Sequence, residues 1–152
     1  MGDQILNLRF VEFCRVGDIK GVQAAIDNGA DVNEEGDGGW TGLMQSLGRR
    51  QNSVVQLLLN HPQIDVNKVT SSGSCALHYA VTIYDNHEGM AALFARQDLT
   101  TINQKDKNNG WTPIMKAVAL NAVNCFNLLL AHPEVDLDTR DNYQRSPEEV
   151  RR

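Results

Sequence analysis

The chain contains little cysteine, and none of it is spaced for metal or disulfide chemistry. Cys14, Cys75 and Cys125 are the three cysteines among 152 residues, and they lie 61 and 50 residues apart. Zinc knuckles and redox pairs bring two cysteines within a few residues of each other. The first residues carry Asp3 and no basic run, so no secretory leader is indicated. An odd number of cysteines without a leader is typical of a reducing compartment, and we expect an intracellular, cytoplasmic setting.

Long apolar runs and a surplus of basic residues are also absent. No run approaches the roughly 20 apolar residues that a membrane-spanning helix needs, so no membrane insertion is expected. Lysine and arginine number 14 against 19 acidic residues, which gives a net charge of −5. Nucleic-acid binding depends on a basic surface, so no nucleic acid is expected as a partner. Met1-Gly2 begins like an N-myristoylation signal, but Leu6 stands where the signal requires serine or threonine.

Catalytic motifs are missing as well. The sequence holds no nucleophile elbow, phosphate loop, zinc-protease motif or dinucleotide fingerprint. Residues 36–39 are rich in glycine, but the lysine and serine or threonine of a phosphate loop do not follow them. His87 lies near Asp85 and Glu88, and we favour a structural role over a metal site for these residues. We therefore expect no enzyme, no catalytic residue, no metal and no cofactor.

The clearest positive signal is a unit that runs from residue 109 to residue 141. A turn comes first, then Thr112, whose hydroxyl can accept a hydrogen bond from the start of a helix. Pro113 suits the first helical position, where its missing N–H is not needed. After a polar break at Asn121, a second apolar run extends over residues 123–131. The pattern predicts a turn, a helix, a tight break, a second helix and an extended exit.

Copies of this unit recur along the whole chain at a nearly constant spacing. The residues that end each exit segment are separated by 34, 36 and 35 positions: Asn33, Asn67, Asn103 and Asp138. A second landmark keeps the same step, because Gly39, Gly73 and Gly110 precede Trp40-Thr41, Ser74-Cys75 and Trp111-Thr112. Two landmarks that stay in register predict stacked repeats. Their shared core is expected at Val54, Leu58, Leu93, Phe94, Phe126 and Leu129.

The unit resembles the ankyrin repeat, with its Thr-Pro-Leu-His-x-Ala opening and its Gly-Ala-Asp-Val-Asn exit. Residues 112–117 and 77–80 carry the opening in part, and residues 29–33 match the exit in full. The resemblance implies an all-α ankyrin-repeat solenoid of about four stacked helix-turn-helix repeats with β-turn or hairpin fingers. We predict a single domain over residues 1–152. Its repeats are placed at about 6–35, 36–67, 68–103 and 104–138, with a partial fifth repeat at 139–152. The first repeat lacks an entry turn and is interpreted as a capping repeat.

In the ankyrin-repeat family, the concave surface of fingers and first helices binds folded proteins. Carried over by register, the partner-binding positions in this chain are Trp40, Arg49, Ser74, Trp111, Tyr143 and Arg145. Both tryptophans of the chain occupy equivalent finger positions, and tryptophan is enriched at interface hot spots. The alternative is that both indoles pack against neighbouring repeats and have a structural role.

The resemblance also indicates a candidate modification site. Ankyrin exits with a leucine six positions before Asp-Val-Asn can be substrates of an asparaginyl hydroxylase, and Leu59 with residues 65–67 has this spacing. Asn67 is therefore a candidate for hydroxylation, and the alternative is that its side chain only braces the turn.

These observations favour a non-enzymatic protein–protein interaction module, a scaffold or adaptor that is a monomer on its own and binds a protein partner. The alternative is a targeting or regulatory arm of a larger enzyme or channel.

Overall fold

Eight α-helices and two short 3₁₀ helices make up the described part of the chain. The computed structural model describes residues 3–82 and 84–151, and for residue 151 it describes the backbone alone. The comparison of Met1-Gly2 with an N-myristoylation signal therefore lies outside the described residues. The helices are α1 (Gln4–Val16), α2 (Ile19–Asp27), α3 (Gly42–Gly48), α4 (Asn52–Leu59), α5 (Ala76–Ala80), α6 (His87–Phe94), α7 (Pro113–Leu120) and α8 (Val123–Ala131), and the 3₁₀ helices are Asp37–Gly39 and Pro147–Arg151.

The helices form successive pairs, and this arrangement confirms the predicted all-α ankyrin-type solenoid. Each pair packs on the next, because first helices contact first helices and second helices contact second helices. The four pairs lie within the four predicted repeats, except that α1 begins earlier, at Gln4. The exact repeat boundaries remain a prediction. Among the described residues, no helix is long and apolar enough to cross a membrane.

The first helices begin at the residues that the sequence indicates. Thr41 and Thr112 accept hydrogen bonds from the N–H groups of Met44 (3.3 Å) and Met115 (3.5 Å). In the third repeat Cys75 occupies the cap, and its own N–H donates to Nδ1 of His78 at 3.0 Å. The imidazole therefore supplies the bracing that a threonine supplies in the second and fourth repeats.

Stacking of the helix pairs produces one continuous apolar core. Leu47, Leu58, Leu93 and Leu129 are fully buried, and each represents a different helix of the stack. Two residues that were predicted in the core, Phe94 and Phe126, are only partly buried and pack against it. Phe94 lies at the edge of the stack with its ring centroid 4.8 Å from that of His132. Phe126 lies on the far side of the last helix pair, where the described residues cover it incompletely.

The exit asparagines connect each repeat to the next through paired hydrogen bonds to the backbone. Asn33 donates to the carbonyl of Gln63 (2.8 Å) and accepts from the N–H of Asp65 (2.8 Å). The same pair of bonds joins Asn67 to Asp98 and Thr100, and Asn103 to Glu134 and Asp136, at 2.7–2.9 Å. In the first repeat Asn7 of α1 accepts from the N–H of Asp31 at 2.8 Å. Asn7 thus takes the place that the asparagine of a preceding repeat would occupy.

A second group of contacts joins the repeats near the loops between their helices. The side-chain amide of Asn86 is buried and makes four hydrogen bonds: it donates to the carbonyl of Leu47 (2.9 Å) and to Oδ1 of Asn52 (2.9 Å), and it accepts from the Asn52 amide (3.0 Å) and the N–H of Gly89 (3.0 Å). This single amide caps α6 and ties the third repeat to the second.

Asp85 makes a comparable link from the third repeat to the fourth. Its backbone is left-handed (φ 47°), and its carboxylate accepts from the N–H groups of Asn124 (2.9 Å) and Cys125 (2.8 Å). Helix α8 has no side-chain cap of its own, so Asp85 satisfies donors that would otherwise be orphaned at its first turn. Burial alone would raise the pKa of Asp85, but these hydrogen bonds hold it below its usual value.

Candidate binding surface

The fingers that precede the first helices stack on one another through their backbones. Each finger closes on itself, for example by the N–H of Gly36 donating to the carbonyl of Trp40 at 2.8 Å. Between fingers, the N–H of Ser71 donates to the carbonyl of Gly38 (2.9 Å), and that of Lys107 donates to the carbonyl of Ser72 (2.8 Å). The fingers therefore form a continuous row. We use the name finger surface for the six positions predicted to bind a partner, five in the fingers and one at the end of α3: Trp40, Ser74, Trp111, Tyr143, Arg145 and Arg49.

Trp40 packs against the next repeat while keeping part of its indole exposed. Its ring centroid lies 4.1 Å from that of Tyr79 on α5, with the ring planes tilted by 51°. Tyr79 is 8% exposed, so it forms the floor on which Trp40 rests. Trp40 is half-buried. The packing alternative therefore accounts for one part of this indole, and the remaining part is available to a partner.

Lys116 extends this arrangement into the fourth repeat. Its ammonium lies 5.4 Å from the centroid of the Tyr79 ring and donates to the carbonyl of His78 at 2.8 Å. Burial lowers the pKa of Lys116. Trp40, Tyr79 and Lys116 thus form a row of two aromatic rings and a cation across three repeats.

Trp111 is held by the finger that follows it. Its indole Nε1 donates to Oδ2 of Asp141 at 3.2 Å, and Nε of Arg145 donates to the same oxygen at 2.9 Å. The guanidinium of Arg145 lies 5.0 Å from the ring centroid of Tyr143. Burial alone would raise the pKa of Asp141, but the N–H groups of Arg145 and Tyr143 hold it below its usual value. Three of the predicted positions are therefore organised around one buried carboxylate.

The remaining two predicted positions lack such organisation: Ser74 belongs to the second finger, whereas Arg49 follows the last residue of α3, at the opposite end of that helix from its finger. Ser74 is half-buried, and its backbone pairs with that of Thr70 to close the second finger. Arg49 is exposed, and its Nη1 donates to Oε1 of Gln45 on the same helix at 2.7 Å. Among the described residues, no hydrogen bond joins Ser74 or Arg49 to Trp40 or Trp111.

Tyr79 and Lys116 are not among the positions predicted from the sequence, although the sequence carries a signal for them. Both lie four positions after a helix cap, Tyr79 after Cys75 and Lys116 after Thr112. The equivalent residue of the second repeat is Gln45, which contacts Arg49. Comparison of the repeats position by position would have placed all three side chains next to the fingers.

His78 fixes the position of the Trp111 finger from below. The imidazole is buried, and its Nε2 lies 2.9 Å from the carbonyl of Trp111. Because Nδ1 accepts from the N–H of Cys75, Nε2 must carry the proton and donate to that carbonyl. Burial lowers the pKa of His78 to about 4, so the imidazole is neutral near pH 7.

The described residues contain no candidate metal site. No group of three or more histidine, cysteine, aspartate or glutamate side chains there could hold a metal ion. The carboxylate of Asp85, which the sequence places beside His87 and Glu88, is instead directed to the first turn of α8. The three cysteines are free thiols, and burial raises the pKa of Cys14 to about 12 and that of Cys75 as well.

Hydroxylation of Asn67 remains a prediction. Both polar atoms of its amide are engaged with the exit of the third repeat, through Asp98 and Thr100. A hydroxylase would have to free this side chain from the fold before reaching its β-carbon. The intact mass of the protein after incubation with an asparaginyl hydroxylase decides the question: a gain of one oxygen atom that disappears in Asn67→Gln supports the site, and an unchanged mass removes it.

Comparison with known families and proteins gives consistent matches. A family model described as ankyrin repeats (three copies) matches residues 11–106, and one described as ankyrin repeat matches residues 109–142. A putative ankyrin repeat protein of fowlpox virus (strain NVSL) is 31% identical over 128 residues, which cover 82% of this chain and 36% of the viral protein. A probable serine/threonine-protein kinase of Dictyostelium discoideum is 29% identical over 107 residues, which cover 68% of this chain and 12% of the kinase. The chain thus spans well under two thirds of the length of either relative.

Proposed function

This chain belongs to the ankyrin-repeat family, whose repeats form protein–protein interaction modules, and we propose that it acts as a non-enzymatic scaffold or adaptor. In this proposal a protein partner binds the finger surface and the first helices beside it. The partner is not a nucleic acid, and neither a cofactor nor a metal takes part. The module works as a monomer in the cytoplasm, a setting that its three free thiols support.

The observation that carries the proposal is the half-exposed Trp40 held on Tyr79. A large aromatic ring that is already fixed in the free protein loses little conformational entropy when a partner covers it. Trp111 is fixed in a comparable way by Asp141. Together they offer two rigid aromatic anchors on one row of stacked fingers, and the ammonium of Lys116 lies over the Tyr79 ring on which the first of them rests.

Removal of these anchors tests the proposal. A partner is first captured from a cell lysate with the wild-type protein and then purified. We expect Trp40→Ala and Trp111→Ala each to weaken the affinity for this partner, measured by calorimetry, by about tenfold or more. Tyr84→Ala is the matched control, because Tyr84 is an exposed aromatic side chain in the loop between α5 and α6, away from the fingers. Circular dichroism must show that all variants fold alike. Equal affinities for the wild type and both tryptophan variants would contradict binding at the finger surface.

A second candidate function is favoured by the kinase relative. The matched segment is about an eighth of that protein, so this type of repeat domain also occurs within a much longer chain described as a kinase. We therefore keep the alternative that this domain is the targeting or regulatory arm of a larger enzyme or channel. The complete reading frame of the transcript distinguishes the two, because an adjoining catalytic or transmembrane domain would support the second.

A further inference from the structure

The net charge of the fingers changes sign along their row. The Trp40 finger, residues 34–41, carries three carboxylates and no basic side chain. The Trp111 finger and the helix start that follows it, residues 104–116, carry three lysines and one carboxylate. That carboxylate, Asp106, accepts hydrogen bonds from three N–H groups of its own finger at 2.9–3.2 Å. The row is therefore negative at the Trp40 finger and positive at the Trp111 finger.

The three lysines of the positive region have no carboxylate of the fold bound to them. Among the side chains that the structure describes, Lys105, Lys107 and Lys116 take part in no ion pair, whereas Lys68 is paired with Glu35 at 2.7 Å. Lys105 and Lys116 each donate to a backbone carbonyl instead, at 2.6 and 2.8 Å. An ammonium has three N–H donors, so both retain donors for a further acceptor.

Two of these lysines reach back toward the third repeat, in the direction of Trp40. The stem of Lys107 lies against the preceding finger, because its Cγ is 3.2 Å from the point where a side chain at Gly73 would begin. The ammonium of Lys116 lies over the ring of Tyr79, on which Trp40 also rests. A partner that covers the exposed part of this indole therefore meets the two cations beside it.

The change of sign favours a polypeptide over a uniform polyanion. Nucleic acid carries negative charge along its whole length. A strand that lay on the lysines would also meet Asp37, which is exposed, and Glu34, whose hydrogen bonds come from neutral side-chain amides. A polypeptide can place acidic side chains over one finger and basic side chains over another, and such matching of charge fixes its register on the surface.

The separation of the two fingers sets the spacing of the charges on the partner. Packed helices lie about 8–10 Å apart, so two repeats place the Trp40 and Trp111 fingers about 16–20 Å apart. An extended chain advances about 3.3 Å per residue, so about five or six residues bridge this distance. Building on binding at the finger surface, which is the proposed function, we propose that the partner contributes an extended segment of defined polarity. Its acidic side chains lie over Lys107 and Lys116, and its basic side chains lie over Asp37.

Selection from a library of random short peptides displayed on phage tests the proposal. The enriched peptides are expected to carry aspartate or glutamate and, about five or six residues away, lysine or arginine. Lys107→Glu is expected to weaken the affinity of an enriched peptide about tenfold at low salt and less at high salt, because an attraction becomes a repulsion. Replacement of the peptide's acid by lysine is expected to restore affinity for this variant, as direct pairing of the two charges requires.

The matched control is Lys20→Glu, which makes the same change of charge on an exposed lysine of α2, away from the fingers. Its affinity for the peptide is expected to equal that of the wild type. Trp40→Ala separates this inference from the proposed function. Peptide binding that is lost in Trp40→Ala but unchanged in Lys107→Glu would overturn the charge pattern and leave the finger surface as the binding site. Binding that is unchanged in both variants would contradict both proposals.

Three further outcomes would also overturn the charge pattern. The first is that the library yields no peptide in which acidic and basic residues are separated in this way. The second is displacement of the peptide by a single-stranded oligonucleotide, because the lysines would then serve nucleic acid. The third is self-association of the wild type that disappears in Lys107→Glu, measured by sedimentation, because the occupant would then be a second copy of the chain.

Discussion

Asn86→Leu is expected to lower the free energy of unfolding by about 3–5 kcal/mol. The substitution removes the amide that satisfies the buried carbonyl of Leu47, the N–H of Gly89 and the side chain of Asn52. An unsatisfied buried polar group costs about 1–3 kcal/mol, and at least two would be left behind. Since whole domains have only about 5–15 kcal/mol of stability, this loss is a large fraction of the total. Urea denaturation followed by circular dichroism measures the difference.

Two further variants separate the causes of this loss. Asn86→Asp keeps an oxygen that can accept from the N–H of Gly89, but it removes the donor that reaches Leu47, so an intermediate loss is expected. Asn60→Ala is the matched control, because Asn60 is an exposed asparagine at the end of α4, and its effect should stay within about 0.5 kcal/mol. A change below about 1 kcal/mol for Asn86→Leu would show that the amide network is not what joins the second and third repeats.

The protein is expected to lose about 3 kcal/mol of stability as the pH falls from 6.5 to 4, because of His78. The pKa of this imidazole is about 6.5 in the unfolded chain and about 4 in the fold. Between these values the unfolded state binds a proton that the folded state does not, so stability falls as the pH falls. The full contribution is present above pH 6.5 and is gone below the folded pKa of about 4. Protonation of Nδ1 would set two N–H groups against each other, that of the ring and that of Cys75.

Thermal unfolding as a function of pH measures this effect, and His78→Gln is expected to flatten the slope between pH 4 and 6.5. His61→Gln serves as the control, because His61 is only partly buried and its Nδ1 accepts from the nearby N–H of Gln63. The C–H signal of the His78 ring in NMR spectra is expected to titrate near pH 4. A titration midpoint near 6.5 would show that the ring is not held neutral by its surroundings.

The repeated landmarks made the fold predictable from sequence. The exit asparagines keep a spacing of 34 and 36 residues because each one must reach the backbone of the next exit, and this geometric need leaves a visible pattern. The helix caps are equally local, and Thr112 with Pro113 marked the start of α7 correctly. The sequence did not decide whether Trp40 packs against a neighbouring repeat or faces a partner, because tryptophan suits either role. In the structure the indole is partly packed and partly exposed.

The parts that escaped prediction depend on contacts between repeats. Asp85 lies in a loop of irregular length, and nothing local indicates that its carboxylate caps a helix that begins at residue 123. Asn52 and Asn86 are 34 residues apart, so a comparison of repeats could have paired them, but burial of the amide only emerges from the stack. Phe126 was expected in the core because apolar residues usually lie there, and the sequence alone does not show which face of the last helix pair remains uncovered.

The exit asparagines recognise no side chain of the neighbouring repeat. The carbonyls that they contact belong to Gln63, Asp98 and Glu134, and the N–H groups belong to two aspartates and a threonine, so a change of side chain at either position leaves the joint unchanged. A joint of this kind places no demand on the composition of the adjoining unit. At this joint, segments of about 34 residues can therefore be duplicated, deleted or recombined without matched substitutions on both sides, and only side-chain pairs such as Asn52 and Asn86 tie a unit to a particular neighbour.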